Sequence, residues 1–181
     1  MALPAVLTPH DFSSAELCAL RLDGDLFAVG DGYVCADTFE DAAVRIGSIA
    51  DSLRGPRIAA RETASWVFGA TDECPRPIEV IVPAGKSQST EAMRGVRVRE
   101  SVLRDDEVIG IGGLRVTSPL RTAVDLVRMR SYSPATATMV AALLRNEGIG
   151  TAAVLALLAD RRFQRERIRG TRRILDLPIP D

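Results

Sequence analysis

Apolar positions change their spacing along this chain, and each change marks a structural element. Ala15, Leu17, Cys18 and Leu20 to Leu22 follow a helical repeat, with Ser13 or Ser14 placed to cap the helix and Gly24 to close it. The period then shortens. Leu26-Phe27-Ala28-Val29 and Tyr33-Val34-Cys35 read as two strands around Gly30-Asp31-Gly32, a hairpin turn whose glycines accept positive φ. Thr38 and Asp41 have the spacing of a capping box and open a second helix through Phe39, Ala43, Val44, Ile46, Ala50 and Leu53, which Gly55-Pro56 stops. A short helix over 61–68 ends at Gly69, and the proline- and acid-rich stretch 71–77 reads as a surface loop. Residues 78–82 (IEVIV) form a strand, followed by an exposed connection over 83–94.

The segment 95–128 is the densest in signals. Val96, Val98 and Glu100 alternate with their neighbours at period two, and Val108-Ile109 and Leu114-Arg115-Val116 flank Gly110, Gly112 and Gly113, which predicts two strands meeting in a tight turn within a short antiparallel sheet. Thr117 or Ser118 is a suitable N-cap, Pro119 suits a first helical position that loses no hydrogen bond, and Val124, Leu126 and Val127 supply a buried stripe. A helix over 119–129 follows from these. Beyond it every segment reads as helical: Ser133-Pro134 opens one with Met139, Val140, Leu143 and Leu144 that Gly148 ends, and Thr151 caps another with Val154, Leu155, Leu157 and Leu158. An arginine-rich helix with Ile168, Ile174 and Leu175 stops at Pro178 and Pro180.

A length of 181 residues with 46% hydrophobic residues allows two compact units. No apolar stretch is long enough to cross a bilayer, and the N-terminus has no basic region leading into a hydrophobic run, so a soluble, cytoplasmic protein without a membrane partner is expected. Cys18, Cys35 and Cys74 are odd in number and irregularly spaced, which fits a reducing compartment and small buried apolar side chains. The formal net charge of −1 conceals a division along the chain. Residues 1–43 carry Asp11, Glu16, Asp23, Asp25, Asp31, Asp37, Glu40 and Asp41 against Arg21 alone, whereas residues 161–173 hold seven arginines against Glu166.

No set of residues supports catalysis, a cofactor or a metal. His10 is the only histidine and has no acid or nucleophile beside it in a recognised motif. His10, Cys18, Cys35 and Cys74 lack the short paired spacing of a zinc site. Gly110, Gly112 and Gly113 lie between strands, so no helix dipole backs them as a phosphate loop. Asp105-Asp106-Glu107 reads as a solvated acidic loop, and Lys86, the only lysine, lacks the acid-x-lysine spacing of a metal-dependent nuclease. What remains is the arginine run. Arg161, Arg165, Arg169 and Arg172 follow helical steps and line one face able to meet phosphates or an acidic protein surface, the alternative being a solvated face paired with local carboxylates.

Read in order, the blocks LCALRLDGDLFAVGDGYVCAD, RETASWVFGA, IEVIVPAG and GVRVRESVLRDDEVIGIGGLRVTSPLRTAVDLVR resemble the AbiEi-like antitoxins of type IV toxin–antitoxin systems of the actinobacterial type. The first resembles the end of a winged helix-turn-helix with a wing closing on Gly32-Tyr33, the second the helix S-x-x-SAA-x-x-HG, and the third the family's VP strand. The fourth matches TSP-x-RT-x-x-DL through Thr117, Ser118, Pro119, Arg121, Thr122, Asp125 and Leu126. The resemblance implies an α/β (α+β) chain. Residues 1–37 would be a truncated, degenerate winged-helix-like module, and 38–181 an antitoxin α/β domain with a small mostly antiparallel or mixed sheet and a helical C-terminal end. It further implies a non-enzymatic autorepressor that neutralises a nucleotidyltransferase-like toxin. The acidic front would repel DNA phosphates, which leaves Arg21 and the C-terminal arginines as the phosphate contacts and favours a protein partner over operator DNA. Two other readings stay open, a DNA-binding autorepressor and a degenerate interaction module.

Overall fold

The computed structural model describes residues 4–85, 94–160 and 164–177, with the side chains of Gln164 and Arg165 excepted. Its first helix, α1 (Ser14–Leu22), is capped reciprocally by Ser13 and Glu16, and a hairpin of β1 (Leu26–Val29) and β2 (Gly32–Cys35) follows. Leu7 adds a bridge to Tyr33, with mutual backbone hydrogen bonds of 2.7 and 2.9 Å. A side chain at position 32 would strike Val6 and the Leu7 carbonyl, which requires glycine there. Leu7, Leu17 and Leu26 make a small core of their own, whereas Val29 and Val34 join the main core.

The second helix, α2 (Ala42–Ser48), starts later than its sequence pattern suggests. Asp41, not Thr38, is the N-cap, its carboxylate accepting from Val44 N–H at 2.9 Å, and Phe39 lies outside the helix, 84% exposed. Ala50–Leu53 is a separate 3-10 turn. The chain then enters β3 (Ile58–Ala59), a two-residue strand that periodicity cannot detect, and turns sharply into α3 (Arg61–Val67).

The main sheet has five strands in the order β5-β4-β3-β7-β6, with β4 (Ile78–Pro83), β5 (Val96–Ser101), β6 (Val108–Ile111) and β7 (Leu114–Thr117). It is mixed: β4–β5 and β3–β7 are parallel, β3–β4 and β6–β7 antiparallel. An all-antiparallel sheet is ruled out because long connections carry the chain back between the parallel pairs. Gly112 and Gly113, both at positive φ, turn β6 into β7. Trp66, Ile46, Ile49, Ala59, Ile78, Val80 and Val116 bury one core against this sheet.

Four helices form the second core: α4 (Pro119–Val127), α5 (Pro134–Asn146), α6 (Thr151–Ala159) and α7 (Gln164–Leu175). Ser118 caps α4 with Pro119 in its first turn, and α4 packs against α3, α5, α6 and α7. Full burial of Val124, Leu126 and Val127 contributes about 1.5–3 kcal/mol apiece. Ser133 caps α5 through Thr136. Gly150, not Thr151, is the N-cap of α6, and no side chain completes that cap. Gly170 brings α7 against Leu158 and Val127, where an added Cβ would lie 3.0 and 3.3 Å away. Pro178 and Pro180 lie outside the described residues. Among the described residues no single helix is long and apolar enough to cross a membrane.

Candidate functional site

Arg121 organises the junction between sheet and helices. It follows the N-cap of α4 by three residues, its side chain is 3% exposed, and every end of its guanidinium is engaged. Nε donates to Asp125 Oδ2 at 2.8 Å, one turn further along α4. Nη1 donates to Glu107 Oε2 at 2.7 Å and to the Val102 carbonyl at 3.3 Å, and Nη2 donates to Ser101 Oγ at 3.0 Å. Two carboxylates, one backbone carbonyl and one hydroxyl therefore converge on one buried cation, the arrangement that a planar, five-donor guanidinium suits and a lysine does not.

Glu107 corrects the solvated-loop reading of 105–107. Only 2% of it is exposed, and Oε2 also accepts from Arg104 N–H at 3.0 Å while its carbonyl accepts from Ser118 N–H at 2.8 Å. Thr117 and Thr122, both fully buried, share a hydroxyl–hydroxyl hydrogen bond of 2.7 Å, and Thr122 Oγ1 donates to the Thr117 carbonyl at 3.2 Å. The motif Thr117-Ser118-Pro119-x-Arg121-Thr122-x-x-Asp125 is thus a clamp. It pins the end of β7 and the start of α4 to the segment that leaves β5.

An open cleft of about 380 Å³ lies over this clamp, with Arg121 and Asp125 in its wall. Arg61, Arg99, Arg128, Arg130 and Glu166 line the rest, together with Ser101, Met129 and Ser131. Arg128 donates to Glu166 at 2.5 Å, but its buried Nε has no partner among the described residues. Arg61 has φ +52°, the left-handed region that costs a residue with a side chain of order 1–3 kcal/mol. Burial, then the neighbouring Arg99, holds its guanidinium below the usual arginine range, although Glu79 and Asp125 oppose the shift. Nothing in the hydrophobic pattern points to this cleft, because its residues come from β5, α4, the segment that follows α4, α7 and the start of α3. An RxxxD pair at helical spacing was the one legible signal.

The arginine face expected on the last helix is only partly assembled. Arg161 lies outside the described residues, and the side chain of Arg165 is not described. Arg169 is half-buried. Arg172 is exposed and reaches Asp176 at 3.9 Å. Arg173 turns inward instead, stacking 4.2 Å from the Tyr132 ring centre and donating to the Val127 and Met129 carbonyls at 2.7 Å each. What α7 does present is a shallow groove of about 320 Å³ lined by Arg167, Ile168, Thr171, Arg172, Leu175 and Asp176, with Ile168 61% and Leu175 66% exposed. These apolar residues are seven positions apart, two turns along one helix face.

The N-terminal helix and hairpin carry little positive charge. Arg21 is exposed near the end of α1, which also holds Glu16 and runs into Asp23 and Asp25. Arg76 approaches the hairpin tip, but there it donates to Asp31 at 2.5 Å and to the Gly30 carbonyl at 3.1 Å. The cysteines are not buried as their sequence context suggested: Cys18 is exposed, Cys35 and Cys74 half-buried. Burial pushes the Cys74 thiol up to about 11, which keeps it protonated and unreactive at neutral pH. Among the described residues no group of three or more His, Cys, Asp or Glu side chains could hold a metal ion.

A family model for the AbiEi antitoxin C-terminal domain matches residues 57–176. Among solved structures the chain is similar to the crystal structure of the RV2827C protein from Mycobacterium tuberculosis, with 16% identity over 98% of this chain and 73% of that one and a TM-score of 0.54, a likeness of fold. No curated protein matches the chain.

Proposed function

The chain belongs to the AbiEi antitoxin family, and from that membership we propose that it is an antitoxin-like or regulator-like protein that binds a partner protein, a nucleotidyltransferase-like toxin, through the outer face of α7. In this reading residues 1–37 form a degenerate winged-helix-like module, residues 38–181 form the partner-binding domain, and the protein works in the cytoplasm without enzymatic activity. The observation that carries it is the pairing of exposed Ile168 and Leu175 with Arg167 and Arg172 around one groove. An apolar pair framed by guanidinium groups fits an acidic protein surface with an apolar centre. Operator binding is weak or lost, because Glu16, Asp23 and Asp25 surround the one cation of α1 and Asp31 neutralises Arg76 at the hairpin tip. Binding to DNA without a phosphate-neutralising term is rarely specific.

The test is co-expression with any nucleotidyltransferase found encoded beside this gene, followed by titration calorimetry. Ile168→Glu and Leu175→Glu are expected to weaken the complex by roughly thirtyfold or more each, without changing the fold because both side chains are exposed. Undiminished affinity in both variants removes α7 as the contact surface. A solitary gene with no such neighbour removes the toxin. The autorepressor alternative rests on the helix-then-hairpin order of α1, β1 and β2, and it requires a mobility shift of promoter DNA that weakens as salt rises.

A further inference from the structure

The cleft over the Arg121 clamp has more positive charge than its own carboxylates neutralise. Arg121 is committed to Glu107 and Asp125, and Arg128 to Glu166. Arg61, Arg99 and Arg130 line the same cleft with no hydrogen bond or ion pair to any described residue. Three guanidinium groups without a hydrogen bond or ion pair to a described residue thus line one polar cavity of about 380 Å³, at the small end of the range for small-molecule sites. Like charges that line one cleft repel, and an anion bound among them relieves the repulsion.

Two further features point the same way. Arg128 Nε is a buried donor in the cleft wall without a partner among the described residues, while its Nη2 is held by Glu166. Arg61 reaches the cleft from a left-handed backbone conformation that a glycine would adopt without strain. The strained turn is fixed from both sides, by Ala60 N–H donating to the Glu79 carbonyl at 3.0 Å and by Glu79 N–H donating to Thr63 Oγ1 at 2.8 Å. Strain held at a residue whose guanidinium makes no hydrogen bond or ion pair to a described residue is characteristic of a binding position.

We propose that this cleft is a binding site for a polyphosphate group carried by a small molecule, held by Arg61, Arg99 and Arg130 with Arg128 Nε as an additional donor. Guanidinium forks match phosphoryl oxygens bidentately, and Arg99 and Arg130, exposed at the rim, can close on a ligand that Arg61 holds deeper in. A single carboxylate would leave two of the three cations unpaired, so a multiply charged phosphate chain is the better match. Asp125 and Glu166, each held by its own arginine, remain outside the exchange. The site is independent of the α7 groove, which faces a different set of side chains.

The test is calorimetric titration of the full chain with pyrophosphate and, separately, with a nucleoside diphosphate at low ionic strength. Saturable binding of about one equivalent is expected, weakened about tenfold by Arg99→Gln and again by Arg130→Gln, and unchanged by Arg145→Gln on the exposed side of α5. Equal affinity for both probes identifies the phosphate chain alone as the ligand, and tighter binding of the nucleotide adds its nucleoside. Arg61→Gly removes strain and a ligand together, so it raises the melting temperature of the free protein while abolishing the rise that pyrophosphate produces. Absence of saturable binding, or binding that Arg99→Gln and Arg130→Gln leave unchanged, overturns the proposal.

Discussion

Arg121 shows what a single side chain contributes when it is buried with its partners. Replacing it by methionine keeps most of the volume but leaves the buried carboxylates of Glu107 and Asp125 without the cation that Arg121 supplies, at a cost of about 3–5 kcal/mol. Thermal melting of Arg121→Met is expected to fall by roughly 10 °C, and Glu107→Gln in the same chain to recover part of the loss, since the two changes remove one interaction rather than two. Glu62 is the opposite case. Burial, then the neighbouring Glu79, raises its carboxyl above the ordinary 4.5, with Arg97 and Arg61 opposing. A raised pKa means that its contribution to stability is complete below the unfolded value and is lost as pH rises through the folded one. Glu62→Gln should therefore melt higher than the parent at neutral pH, with the difference closing as the pH falls toward 4.5. The i, i+4 spacing of Arg121 and Asp125 is present in the sequence, although the sequence left the role of the two residues open. Glu107 was not legible, because its partner lies fourteen residues on and nothing local distinguishes a buried carboxylate from a hydrated one.

At the scale of elements, strong local chemistry was readable and weak local chemistry was not. Ser13, Ser118 and Ser133 cap the helices whose starts they marked, and Gly24, Gly69 and Gly148 take the positive φ that ends a helix. Asp41 displaced Thr38, and Gly150 displaced Thr151, because a cap is set by the backbone geometry of one residue and the sequence offered neighbouring candidates. The second parallel pairing stayed hidden with β3, whose two residues present no period at all. Helix contacts carry a different sensitivity. Gly170 stands against Leu158 and Val127 closely enough that Gly170→Val must push α7 away from α6 and α4. Its unfolding midpoint in urea should drop, corresponding to about 1–3 kcal/mol of overpacking, despite the better helix propensity of the new residue.

Across the whole molecule, the division of charge along the sequence survives folding in altered form. Acidic residues remain on α1 and its exit, while the C-terminal arginines disperse: Arg173 anchors α7 to the chain after α4, and Arg172 stays exposed beside an apolar groove. Mobility shifts with promoter DNA at low and moderate salt are accordingly expected to show no salt-sensitive complex. The sequence contained the helical face but not its partition, since the inward turn of Arg173 depends on Tyr132 and two carbonyls more than forty residues away. The large sheet has its own asymmetry. Its two flanks, β4 with β5 and β6 with β7, are well zipped by six and four paired positions, whereas Ala59 opposite Val116 is the single rung that joins β3 to the second flank. A seam of that kind is where slow breathing of the native state begins: amides along the join will trade their protons for deuterium sooner than those within either flank, and the molecule will open there like a book rather than fray from its margins.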